Sequence, residues 1–158
     1  MLHSGVSEKY DGAAYTAFLD HHLTEYTDED EWRDYKAVGS DPVLHIELTK
    51  WADVLLIAPL SANTLAKVAT GICDNLLTCV CRAWQLGIKP FIVAPAMNTF
   101  MWNHPVTKPQ LNTISSWGAN IINPVVKTLA CGDNGNGALA SVEDIVGAVE
   151  ISMKLLGR

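Results

Sequence analysis

His45, Asn98, Cys131 and the stretch holding Ser61, Asn63 and Thr64 are the side chains whose types and settings admit chemistry. His45 falls within the first turn or so of the helix its neighbours imply, where the positive end of the dipole disfavours an imidazolium and favours a neutral ring that accepts a proton. It is a candidate base; a structural or surface histidine is the plainer reading. Ser61, Asn63 and Thr64 lie just before a helix N-terminus, where hydroxyls, an amide and free N–H groups can hold a phosphate or the polar edge of a cofactor, or simply cap the helix. Asn98 follows an apolar run and offers an amide to a substrate carboxylate, or makes a turn. Cys131, beside a glycine and an aspartate, is either a proton donor on a lid or a surface thiol.

The elements that must position these groups alternate. Asp41-Pro42 reads as an N-cap and first helical residue before a short helix over residues 45–51. Residues 54–58 form a continuous apolar run closed by Pro59, the pattern of a strand buried on both faces of a parallel sheet. A helix follows through Leu65, Ala66, Val68 and Ala69, and then a longer one through Leu76, Leu77, Val80 and Trp84, capped by Asp74. Residues 91–94 give a second strand ending at Pro95, and residues 120–123 a third. Trp117-Gly118 closes one more helix, and Ser141 with Asp144 resembles a capping box opening the last, through Ile145, Val149 and Leu155. The expected class is α/β with a parallel sheet. In such sheets ligands collect beyond the carboxyl ends of the strands, where the polar clusters fall. Residues 131–137 hold three glycines and are expected to be a mobile loop.

The first forty residues are rich in His, Asp, Glu, Tyr and Thr, without a long apolar run. His21-His22 and the run Asp28, Glu29, Asp30, Glu31 read as solvated surface, the acidic run alternatively as a helix N-terminus.

At 158 residues the chain can bury one sizeable core, so a single domain over residues 1–158 is expected. A net charge of -6 with no dense basic run argues against nucleic acid. No stretch approaches a bilayer span and the polar opening lacks a secretory apolar region, so a soluble, cytoplasmic protein without membrane partners is expected. Four cysteines without zinc-knuckle spacing predict free thiols and no metal site, with Cys79 and Cys81 on different helix faces. Neither a dinucleotide glycine fingerprint nor a P-loop lysine motif occurs, which weakens NAD and ATP as ligands.

Five strings, in order, carry a family resemblance: YTDEDEW from Tyr26, DPVLHIELTKWAD from Asp41, APLSANTLAKVATGICDNLLT from Ala58, APAMNTFMW from Ala94 and ACGDNGNGALA from Ala130. Over about residues 24 to 146 the chain resembles the flavin-dependent cysteine decarboxylases, in particular the phosphopantothenoylcysteine branch. The resemblance implies a Rossmann-like, flavodoxin-type three-layer subunit, a homotrimer and an FMN site near the subunit interface. It implies decarboxylation of 4'-phosphopantothenoylcysteine to 4'-phosphopantetheine in coenzyme A biosynthesis. Carried across, His45 is the active-site base, Asn98 binds the substrate carboxylate with Met101 nearby, and Ser61, Ala62, Asn63 and Thr64 belong to the FMN pocket. Cys131 resembles the donor of a proton when the oxidised, decarboxylated intermediate is reduced. The family's opening strand and Gly-Ser turn are not visible in residues 1–22, so an N-terminally shortened form is expected. That departure sustains an alternative, a regulatory subunit like the phosphatase-inhibiting halotolerance relatives; a peptide-cysteine decarboxylase is a third reading.

Overall fold

The structure, a computed structural model, describes residues 2–3, 24–33, 35–37, 41–128 and 134–157. The chain divides into two compact units, Met1–Trp51 with Cys73–Ala83, and Ala52–Ile72 with Trp84–Arg158.

Among its described residues the first unit contains the two-residue strands β1 (Leu2–His3) and β2 (Tyr26–Thr27), paired in parallel, and three helices: α1 (Asp30–Arg33), α2 (Leu44–Trp51) and α4 (Leu76–Ala83). The acidic run meets both readings made of it, since Asp28 and Glu29 are exposed and Asp30 and Glu31 stand in the first turn of α1, but its members also take separate structural tasks. Asp28 Oδ1 accepts the Leu76 N–H at 2.9 Å, at the start of α4. Asp30 Oδ2 accepts the Thr27 N–H and hydroxyl at 2.5 and 2.8 Å, while Oδ1 pairs with Arg33 at 2.6 Å. Glu31 is buried. The N-caps also fall elsewhere than expected. Asp41 turns its carboxylate back to the N–H groups of Lys36 and Ala37, and α2 starts at Leu44. Asn75, not Asp74, caps α4, its Oδ1 accepting the Thr78 N–H at 2.8 Å.

The second unit carries the parallel sheet. Strands β3 (Leu55–Leu60), β4 (Phe91–Pro95) and β5 (Ala119–Ile121) lie in the order β3-β4-β5, with Ile57 opposite Val93 and Val93 opposite Ile121. Every residue of the central β4 is buried, as its unbroken apolar run requires. Strand β3 differs from expectation in two respects. Over Leu55–Ala58 it alternates buried and exposed positions, so only one of its faces is covered among the described residues, and it continues past Pro59 to Leu60 through a shift in register. Helices α3 (Ala62–Thr70) and α6 (Thr107–Ser116) pack on one another, and Leu60, Leu65, Ile92 and Ile114 are sealed from solvent. Between β4 and α6 sits the single turn α5 (Thr99–Trp102). The last helix, α7 (Val142–Leu155), begins with the expected Ser141–Asp144 box, Ser141 Oγ accepting the Asp144 N–H at 3.1 Å. It seats Ile145 against Ala94 and Ala140.

The glycine-rich segment corrects a further expectation. Residues Asn134–Ala138 form strand β7, antiparallel to β6 (Val125–Thr128). Gly135 and Gly137 are buried rather than looped out.

Candidate functional site

Ser61 follows β3 and adopts an extended backbone (φ -72°, ψ 160°), so its hydroxyl can reach the Thr64 N–H at 3.1 Å as the N-cap of α3. The same hydroxyl donates to Thr64 Oγ1 at 3.1 Å, and Thr64 is itself buried. Thr64 therefore braces the cap, whereas Ser61 and Asn63 face solvent. The first amides of a nine-residue helix have no intrahelical acceptor and lie at its positive end. The Asn63 side-chain amide and the backbone N–H groups of the first turn make a donor set that fits a phosphate-bearing cofactor such as FMN.

Beyond β4 the chain turns through Ala96, Met97 and Asn98. The Ala96 N–H binds Leu60 O at 3.0 Å and the Met97 N–H binds Gly137 O at 2.9 Å, so the turn is tied to both β3 and β7. Asn98 caps α5: its Oδ1 accepts the Phe100 N–H at 2.9 Å. Because a backbone N–H can only donate, that bond sets which end of the amide is oxygen and leaves the exposed NH2 free to donate outward. Thr99 Oγ1 donates to Asn136 O at 3.0 Å, a second tie to β7. Met101 is half exposed and its carbonyl accepts the hydroxyl of the buried Thr107 at 2.5 Å.

One open, mainly apolar groove of about 280 Å³ joins these two regions. Ala62 and Ala66 of α3 form one side, Phe100 and Met101 of α5 another, with His104, Val106 and Gln110 completing it. The structure thus brings Ala62 and Met101, expected in the cofactor and substrate regions respectively, into one concavity.

In the first unit, His45 stands in the first turn of α2, partly buried. Its Nδ1 is 2.5 Å from Glu31 Oε1, and its backbone N–H donates to Glu31 Oε2 at 3.2 Å. Nε2 has no hydrogen-bond partner among the described residues. Glu31 is the functional candidate that sequence reasoning passed over, hidden within an acidic run and fourteen positions from the histidine it meets. Cys131 lies outside the described residues.

Cys73 is exposed, Cys79 partly buried and Cys81 buried, all as free thiols. Burial pushes Cys81 up to about 12. Among the described residues no cluster of potential metal ligands occurs, and no helix is long and apolar enough to cross a membrane.

The flavoprotein family profile matches residues 6–154. A phosphopantothenoylcysteine decarboxylase of Oryza sativa subsp. japonica is 59% identical over 129 residues, covering 82% of this chain and 58% of the relative. The Mus musculus enzyme of that name is 57% identical over 128 residues, covering 81% and 62%. The chain thus spans about three-fifths of the length of these relatives. Among solved structures, a mutant PPC decarboxylase complexed with pantothenoylaminoethenethiol superposes with a TM-score of 0.78 at 56% identity, over 83% of this chain and 71% of that one. The FMN binding protein AtHal3 gives 0.76 at 57%, over 83% and 70%.

Proposed function

Since the chain belongs to the flavoprotein family, we propose that it is an FMN-dependent decarboxylase acting on 4'-phosphopantothenoylcysteine in coenzyme A biosynthesis. The observation that carries this reading is the shared groove: Ala62 and Ala66, in the helix that the cofactor-suited donors open, and Phe100 and Met101, in the turn that Asn98 caps, line one apolar concavity.

Ser61, Ala62, Asn63 and Thr64 would hold FMN, through the exposed Asn63 amide and the helix-terminal N–H groups, with the Ser61–Thr64 pair bracing the cap. Bound FMN would supply the two-electron oxidation that gives the electrons released with CO2 an acceptor. Asn98 presents its NH2 to the substrate carboxylate, a donor that stays fixed because the other end of the amide is committed to Phe100. Met101 contributes apolar surface beside it, which excludes water. His45 accepts the proton released on oxidation at Nε2, the nitrogen not facing Glu31. Cys131 is assigned the proton returned to the product.

The same proposal includes assembly into a homotrimer in the cytoplasm. Supporting it are large apolar side chains left exposed by the chain alone, Phe100 at 86% and Trp51 at 80%. Phe100 adjoins Asn98 and also lines the groove, so a neighbouring subunit seated there would cover the substrate region.

The first test is the visible absorption of the purified chain after FMN addition and desalting, followed by CO2 release from phosphopantothenoylcysteine. Retained flavin with CO2 release supports the proposal. A folded chain that retains no flavin sinks it and shifts the reading to a regulatory, halotolerance-type subunit.

A further inference from the structure

A neutral imidazole accepts a proton at one nitrogen only, so a histidine base depends on where its own proton sits. Glu31 Oε1 lies 2.5 Å from His45 Nδ1, and the second carboxylate oxygen takes the His45 backbone N–H at 3.2 Å. One carboxylate therefore grips both the ring and the main chain of the same residue. The Glu31 side chain is almost fully buried, whereas the His45 side chain keeps about a fifth of its surface in solvent. A helix cap requires only the contact to the backbone N–H; the contact to the ring is additional. A carboxylate only accepts, so the ring nitrogen facing it must carry the proton.

We propose that Glu31 is the positioning residue for the His45 base, holding the neutral imidazole in its Nδ1–H form so that Nε2 is the sole proton acceptor. Use of this base in turnover rests on the decarboxylase reading; the location of the proton does not. Cys79 is another ionisable group that senses Glu31. Burial, then Cys73, then the Glu31 charge push the Cys79 thiol up, which favours its neutral form.

The test is nitrogen-15 NMR of the histidine rings in the full chain near neutral pH, with the His45 signals identified by their absence in His45→Gln. The expected wild-type spectrum shows His45 as the Nδ1–H tautomer. Glu31→Gln preserves size and can still cap the backbone with its carbonyl, which directs its NH2 at Nδ1; the ring should then switch to the Nε2–H form. In the FMN-loaded chain the same variant should lower kcat roughly tenfold or more, as expected when a base loses its orienting partner, with KM within about twofold.

A wild-type ring found as Nε2–H overturns the proposal, even if Glu31→Gln fails to fold. So does a folded Glu31→Gln chain whose tautomer is unchanged. An Nδ1–H ring in a chain that binds FMN but releases no CO2 upholds the proton placement and overturns the decarboxylase reading, so the two failures are distinguishable.

Discussion

Gly137 and Met97 meet backbone to backbone: the Met97 N–H donates to Gly137 O at 2.9 Å, and a Cβ built on Gly137 would stand 2.5 Å from Met97 O. Gly137 also has φ +112°, where a side chain is strained. Only glycine lets β7 run this close to the turn that carries Asn98. Gly137→Ala is therefore expected to destabilise the chain by roughly 1–3 kcal/mol and to displace the turn. Urea unfolding and the KM for substrate should worsen together. Unchanged values of both would show that the contact does not position Asn98.

The Ser61 hydroxyl both caps α3 and faces solvent at the proposed cofactor region. Ser61→Ala should cost about 0.5–2 kcal/mol through loss of the cap and also weaken FMN binding. Ser61→Asp restores the cap but places a negative charge near the flavin phosphate. Its stability should recover while its flavin affinity falls further, as read by thermal melting and fluorescence titration. Recovery of both by Ser61→Asp would count against phosphate binding here.

Much of the second unit was readable because its signals are local. The apolar run at residues 91–94 becomes the fully buried central strand, and Ser141 with Asp144 becomes the predicted cap. Ser61, Ala62, Asn98 and Met101 are candidates drawn from strand ends and from the family strings, and the fold places Ala62 and Met101 in one groove. What escaped depends on partners distant in sequence. Glu31 looked like one solvated carboxylate among four until α2 brought His45 to it. Residues 134–137 looked mobile because glycine carries no burial pattern; the strand is held by backbone pairing with β6 and the Met97 turn. Asp41 and Asp74 sat at plausible capping positions, but the neighbouring backbone offered Asp41 other donors and Asn75 took the α4 cap.

Cys81 provides a pH and reactivity test. Burial pushes its thiol up to about 12 from an ordinary value of 9.0, so the folded state retains a proton that the unfolded state loses. The resulting stability is fully present below about pH 9 and is lost as pH rises from there towards about 12, with a slope of at most roughly 1.4 kcal/mol per pH unit. Replacing Cys81 by Ala should flatten this alkaline decline while costing stability at neutral pH through the lost packing. In the native chain at pH 8, iodoacetamide should label exposed Cys73 well before Cys81, resolved by peptide mass mapping. Early labelling of Cys81 would show that its helix face opens readily.

Asn98 separates binding from folding most cleanly. Its Oδ1 caps α5 by accepting the Phe100 N–H, while its NH2 is the proposed donor to the substrate carboxylate. Asn98→Asp keeps an acceptor for the cap, and a negative charge suits a helix N-terminus, so melting temperature should be unchanged or slightly raised. The new carboxylate would nevertheless repel that of the substrate in place of donating to it. Losing a hydrogen bond to a charged group costs about 1.5–3 kcal/mol, so KM should rise at least roughly tenfold, with flavin retention intact. Asn98→Ala should combine the loss of binding with a loss of stability of about 1 kcal/mol, because the cap goes too. If Asn98→Asp turned over substrate with the wild-type KM, the side chain would be a helix cap alone and the carboxylate would have to be bound elsewhere.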